Sequence, residues 1–158
     1  MNKIEFLAAF RSSREQWEAQ LARVDPRRLT EPGAAGAWSP TDIIAHVTWH
    51  EREMVGVLRT RVFAGSDWWD LPTDQRNSLI YAANQDRPLL EVLAEARQVF
   101  ADLQRLAQAL TDEDLNNPAR FAGMPPDWLP WQVLAGNTFE HYDHHAADIS
   151  AWLEDMPG

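Results

Sequence analysis

The sequence predicts an all-α fold, a four-helix bundle, and three observations carry that prediction. Ala, Leu, Glu, Arg and Gln are abundant while Val, Ile, Thr and Tyr are sparse, so summed propensity favours helix along the chain. Apolar residues recur at three- and four-residue spacing in four long segments, separated by stretches bearing Pro and Gly. No segment shows strand-like alternation, and no internal repeat is present. At 158 residues the chain has the length of one domain with a sizeable core, and we expect a single domain over residues 1–158.

The first helix is expected from Asn2 to about Val24, carrying Ile4, Leu7, Ala8, Phe10, Trp17, Leu21 and Val24. Asp25-Pro26 ends it, because the residue before proline avoids the helical region. After a Gly- and Pro-bearing loop, Ser39 is suited to N-cap a second helix, with Pro40 at the first helical position and Asp42 placed to reach back. That helix is expected to run to about Phe63, with Ile43, Val47, Met54, Val57 and Leu58 on its apolar face. His50 falls near the centre of the face and His46 at its margin.

Ala64 to Pro72 breaks the pattern, and Thr73 or Asp74 can cap a short helix to about Asn84. Such a connection is long for a bundle, where about two to eight residues is usual, and points to a functional segment or a cover over an opening. The third long helix follows Arg87-Pro88, with Leu89, Val92, Leu93, Ala96, Val99, Phe100, Leu103, Leu106, Ala107 and Leu110 on one broad stripe. Thr111-Asp112-Glu113-Asp114 marks its end, with one short turn to Leu115. A Pro-rich loop runs from Asn116 to Pro130, and its Phe121, Met124 and Trp128 are apolar enough to fold back over the bundle. The fourth helix is expected from Pro130-Trp131 to just before Pro157, burying Trp131, Leu134, Ala135, Thr138, Tyr142, His145, Ile149, Trp152 and Leu153. Periodicity alone leaves open whether the third helix runs parallel or antiparallel to the second.

Composition excludes several chemistries. With no cysteine, disulfides, thiolate ligands and Cys nucleophiles are ruled out, so any metal must be held by nitrogen and oxygen. A formal net charge of -10 repels phosphate backbones and anionic membrane surfaces, which argues against nucleic-acid and membrane partners. The N-terminus lacks an apolar signal core and no window has the length of a membrane span, so a cytoplasmic location is expected. No Gly-rich phosphate loop and no Ser-His-Asp arrangement is present.

The chemistry concentrates in the histidines. All five lie in two helical segments, as His46 and His50 in the second helix and His141, His144 and His145 in the fourth. Both segments hold a pair at i,i+4, which stacks two imidazoles on one face. Two such nitrogens and a third from a facing helix make a three-nitrogen site with an open position, suited to a catalytic divalent metal such as Zn or Ni. His141 and His145 project inward while His144 points away. For the third ligand, helical geometry favours His50 over His46. Tyr142, Glu53 and His50 are candidate catalytic groups, the tyrosine to orient a ligand and the carboxylate as a base or as a partner of a histidine. Eight tryptophans are a compositional oddity, and Trp38, Trp49, Trp128 and Trp131 are candidates to wall a ligand pocket, together with Trp68 and Trp69. The competing reading makes these histidines hydrogen-bonded core residues and these tryptophans core anchors.

Two segments carry a resemblance. Trp38-Ser39-Pro40-Thr41-Asp42-Ile43-Ile44-Ala45-His46-Val47, entering the second helix, and His141-x-x-x-His145 followed by Ile149 resemble the DinB/YfiT-like four-helix bundles. Asp74-Gln75-Arg76-Asn77, Leu110 to Leu115 and Asn137 to His145 look most like the ClbS/DfsB branch. The resemblance implies an up-down-down-up bundle, with helix three parallel to helix two. It also implies a metal triad of one early helix-two histidine and the His-x-x-x-His pair, which selects His46, His141 and His145. Members include thiol transferases and thiol-dependent isomerases, and the branch includes a protein that disarms a cyclopropane-bearing genotoxin. The expectation is therefore a small cytoplasmic, metal-dependent or His-based hydrolase or thiol-type transferase. It would act on a hydrophobic, electrophilic small molecule in detoxification or self-resistance. The alternatives are a module that sequesters a small molecule without turnover and a structural or interaction bundle. A homodimer is admitted but not required.

Overall fold

The computed structural model describes residues 1–155, whose regular structure is helical, with no strand element among the described residues. In chain order the helices are α1 (Lys3–Ala22), α2 (Pro40–Thr60), α3 (Thr73–Asn84), α4 (Leu89–Gln108), α5 (Asp112–Asn116), α6 (Pro130–Gly136) and α7 (Phe139–Glu154). Helices α1, α2, α4 and α7 form the bundle. None among the described residues is long and apolar enough to cross a membrane.

Helix α1 starts in a capping box of Asn2 and Glu5 and buries Phe6, Phe10 and Trp17. Ile4, expected on the apolar face, is 81% exposed because it lies off the stripe that these three aromatics define. Helix α2 begins as its sequence dictates. The Asp42 N–H donates to Ser39 Oγ at 3.2 Å, and the Ser39 N–H donates to the Asp42 carboxylate at 2.8 Å. Pro40 occupies the first turn, where a missing N–H costs nothing. Ser39→Ala is expected to cost about 1 kcal/mol, read as a melting temperature lower by roughly 2–4 °C. The helix stops at Thr60, short of Phe63, because Arg61 turns left-handed at φ 57° while its N–H still bonds Val57 O.

Helix α3 lacks the side-chain cap expected from Thr73 or Asp74, since the helix already begins at Thr73 and Pro72 stands at the cap. Helix α4 ends at Gln108, though Leu110 beyond it is still fully buried. The expected short turn is α5, opened by a capping box of Thr111 and Asp114. The buried Asp114 carboxylate accepts from Arg61 at 2.9 Å and Arg120 at 3.1 Å, tying the end of α2 to the loop before α6. In that loop Phe121 is buried and Met124 half-buried, whereas Trp128 stays 45% exposed with its ring edge-on to Phe63.

The expected fourth helix is in fact two. Gly136-Asn137 closes α6, and Thr138 leaves helical geometry at φ −134°, ψ −99° before α7 resumes. Leu134, Ala135, Thr138, Tyr142, His145, Ile149 and Trp152 are buried as expected, while Trp131 and Leu153 are half-buried. Pro157, expected just beyond this helix, lies outside the described residues.

Contacts between helices fix their directions. Arg52 pairs with Glu95 and Arg59 with Asp102, so α2 and α4 run parallel. Phe6 meets Phe139 and Phe10 meets Tyr142, so α1 and α7 are parallel as well. His46 meets His141 while His50 meets Asn137, which sets α2 antiparallel to α7. The order is up-down-down-up, and it brings the early part of α2 against the start of α7.

Candidate metal centre

The antiparallel seam between α2 and α7 is where the two histidine pairs converge. His46, His50 and His141 each bring one ring nitrogen within 4.8 Å of the others, a cluster that can hold a metal ion. His141 is the hub. Its Nε2 stands 3.0 Å from His46 Nε2 and 3.0 Å from His145 Nε2. His46, His50 and His145 are buried and His141 nearly so, with Trp38 packed 5.0 Å from the His46 ring and stacked on Tyr81.

Hydrogen bonding orients two of the imidazoles. The Asn137 Nδ2 donates to Val133 O at 2.8 Å, so its Oδ1 accepts from His50 Nδ1 at 2.8 Å. The helix break after Gly136 is what swings Asn137 into this position. His145 Nδ1 donates to Asp148 at 2.8 Å, one turn along α7. With its hydrogen on Nδ1, His145 presents a lone pair at Nε2 toward His141.

A proton count then bears on the hub. In the ring plane each Nε2 has room for one hydrogen or one lone pair, never both. His141 Nε2 therefore cannot satisfy both of its 3.0 Å contacts in any protonation state. A cation shared by three lone pairs removes that conflict. Two nitrogens each about 2.0–2.1 Å from one ion stand roughly 3.0–3.4 Å apart, which matches the spacing found. The Nδ1 atoms of His46 and His141 are buried without a hydrogen-bond partner, a cost of the kind that functional sites retain.

Electrostatics keep the cluster neutral, as metal ligation requires. Burial foremost, then repulsion from His50 and His145, pulls His46 down to about 2. Burial likewise pulls His50 to about 4, with the Asn137 bond opposing and the Arg76 charge adding to the shift. His141 lies lower still for the same reasons, and His145 is lowered by burial against the pull of Asp148. Because these folded values lie below the ordinary 6.5, the unfolded chain binds more protons in the interval between them. Stability of the EDTA-treated protein should therefore be undiminished above about pH 6.5 and fall as pH drops from there toward 4. Urea midpoints measured from pH 8 to pH 4 check this, and an unchanged midpoint between pH 7 and 5 contradicts it.

Two cavities lie against the α2–α3 connection. One of about 420 Å³ lies between Phe63, Trp69, Trp128 and Val133, with Arg76 and Asn137 beside the His50 side of the cluster. Another of about 520 Å³ is lined by Trp49, Arg52, Glu53, Ser66 and Trp68 among others. Gly65 beside it has no room for a Cβ, since the backbone packs directly on Trp69 and Glu53.

Several expected roles are relocated. Tyr142 does not face the imidazoles. It is fully buried and its hydroxyl donates to Glu51 at 2.6 Å, where Arg14 also donates at 2.7 Å. On helix α7 Tyr142 sits about 100° from His141, which turns it toward α1 instead. Burial raises the Glu51 carboxyl against the pull of Arg14, and burial with the Glu51 charge drives the tyrosine well up. Glu53 is also spent elsewhere, accepting the Ser66 N–H at 2.8 Å and anchoring the α2–α3 connection. Trp38 and Trp49 touch the cluster through His46 and His50, and Trp128 lines the smaller cavity. Trp131 instead packs half-buried on the core and lines neither cavity. His144 is exposed, as expected, 3.9 Å from Asp148.

The sequence alone did not bring forward Asn137 as a histidine partner, Asp148 or the Arg14–Glu51 pair. Gly136-Asn137 is a helix-ending dipeptide that signals the break. Arg14 and Glu51 were legible as charges set on apolar stripes, Arg14 between Phe10 and Trp17, Glu51 between Val47 and Met54.

Comparison with known proteins places this fold among relatives. The family profile of the DinB superfamily matches residues 9–149. The solved structure of DfsB, described as a sibling lethal factor precursor, superposes with a TM-score of 0.80 at 17% identity, covering 98% of this chain and 96% of the other. The colibactin self-resistance protein ClbS, solved with a double-stranded DNA, gives 0.81 at 12% identity over 99% and 98%. An uncharacterised protein of Escherichia coli UTI89 gives 0.79 at 17% identity over 98% and 94%. No functionally curated protein matches the sequence.

Proposed function

The chain belongs to the DinB superfamily, and from that premise we propose that it is a small cytoplasmic enzyme of the detoxification or self-resistance type, using a divalent metal held by His46, His141 and His145. The single observation that carries this is the hub geometry: His141 Nε2 makes two 3.0 Å nitrogen contacts that one hydrogen cannot serve. His46 rather than His50 is the third ligand in this reading, because His46 Nε2 stands 3.0 Å from the hub, a contact that His50 does not make. Bound there, Zn or Ni would act as a Lewis acid and lower the pKa of a coordinated water.

The chain's own residues supply the rest. Asp148 fixes the His145 tautomer, and Asn137 holds His50 at the cluster's edge. Trp38 and Trp49 exclude water from the imidazoles. Phe63, Trp69 and Trp128 offer the apolar wall that a hydrophobic, electrophilic substrate needs, and hydrolysis or transfer to a thiol co-substrate is the expected reaction. Calorimetric titration of EDTA-treated, untagged protein with Zn²⁺ tests this, with one site per chain expected. Absence of binding contradicts it.

One observation favours a second reading, sequestration without turnover: no imidazole lines either cavity, and Asn137 stands between the smaller one and His50. A ligand recovered chemically unchanged by mass spectrometry after prolonged incubation with metal-loaded protein would select it. The ClbS relative was solved with double-stranded DNA, so the net charge of -10 does not by itself exclude a duplex from a bundle of this kind. The expectation that nucleic acid is no partner is withdrawn accordingly.

A further inference from the structure

Arg76 stands out in the smaller cavity because half of its guanidinium is uncommitted. Nη1 donates to the carbonyls of Trp69 at 3.0 Å and Leu71 at 3.5 Å. Nε is buried with no hydrogen-bond partner. Among the described residues no carboxylate forms an ion pair with it, although nine other arginines do find acidic partners. Its position is set by the two carbonyls and by the Trp49 ring, 6.0 Å from Cζ at the edge of cation–π reach. With Nη1 fixed by carbonyls and Nε enclosed, Nη2 is left to meet an oxygen acid beside the aromatic walls, and the charge it carries suits a carboxylate.

We propose that Arg76 anchors a carboxylate on the ligand: the cavity takes an aryl or alkyl carboxylate, its apolar body against Phe63, Trp69 and Trp128 and its anionic end on Arg76. This rests on the reading that the cavity serves the histidine cluster, and it names the class of compound that cluster meets. At about 420 Å³ the cavity suits a compound of one or two fused rings. In a chain of net charge -10, an anion is held here only through a dedicated cation, and Arg76 is the one lining this cavity. Asp70 also lines it, at an exposed rim, and its charge favours entry of the ligand with its apolar end away from that side.

The test compares 2-naphthoate with its neutral isostere 2-naphthamide by calorimetry in EDTA, so that neither probe can bind through a metal. The unmodified protein should bind the carboxylate about tenfold tighter or better than the amide. Arg76→Met should abolish that preference and Arg76→Lys should keep part of it, with the helical circular dichroism of each unchanged. Equal binding of the two probes by the unmodified protein, no binding of either, or a preference that survives Arg76→Met overturns the proposal. Zn²⁺ titration of Arg76→Met is run in parallel and should match the unmodified protein. Loss of zinc binding by the unmodified protein with the naphthoate preference intact would sink the metal reading alone.

Discussion

Replacing His141 with alanine is expected to abolish stoichiometric zinc or nickel binding, lowering affinity by at least about 100-fold. The loss should exceed the roughly 10–100-fold that follows removal of a ligand's outer hydrogen-bond partner. His141 is the one imidazole whose Nε2 lies 3.0 Å from two others, so its removal takes away both of these close nitrogen contacts at once. His46→Ala and His145→Ala should behave similarly. Asp148→Asn should fall in the milder range, because it disturbs only the tautomer of His145. His144→Ala should change nothing, since that ring is exposed. Calorimetric titration with Zn²⁺ of each EDTA-treated variant measures the series. Equal losses at His144 and His141 would contradict the geometry, and retention of tight binding by His141→Ala would do so more directly.

The largest stability effect is expected far from the imidazoles, at Arg14. Its Nη1 donates to Glu51 at 2.7 Å, its guanidinium lies 3.8 Å above the Phe100 ring, and Glu51 is 1% exposed. Arg14→Met removes the guanidinium that compensates this buried carboxylate and should cost about 3–5 kcal/mol. For a domain of this length that lowers the melting temperature by roughly 6–20 °C. Burial already raises the Glu51 carboxyl, so part of the loss should be recovered at lower pH, where the lone carboxyl takes up a proton. The double variant Arg14→Met, Glu51→Met should lie much closer to the unmodified protein, since replacing both charges by apolar groups of similar volume avoids an unpaired charge. Urea denaturation of the two variants decides the matter. A single-variant loss below about 1 kcal/mol would show that the pair does not carry the α1–α2 contact.

Much of this was legible in the chain. Ser39-Pro40-Thr41-Asp42 states the start of α2 because side-chain capping is a local event, complete within four residues. The inward direction of His145 and the outward direction of His144 follow from helical periodicity alone. What periodicity does not give is which partner a face meets. Helix α2 is buried on nearly every side, so face-centre reasoning lost its power to rank His46 against His50. Tyr142 was rightly turned inward but assigned the wrong neighbours, because its partner Glu51 lies 91 residues away. Glu53 was misread for the opposite reason, its carboxylate being taken by the Ser66 N–H of a connection with no periodicity to read. Asn137 became visible only with the break between α6 and α7, and Arg76 only once the α2–α3 connection had folded beside it.

The central claim is that one ion sits among His46, His141 and His145. Crystals of untagged protein grown with equimolar zinc, measured above and below the zinc absorption edge, test it most directly. The account predicts a single anomalous peak bonded to the Nε2 atoms of those three residues, with His50 still on Asn137. No peak at the cluster, or a peak on His144, His145 and Asp148 instead, would contradict it.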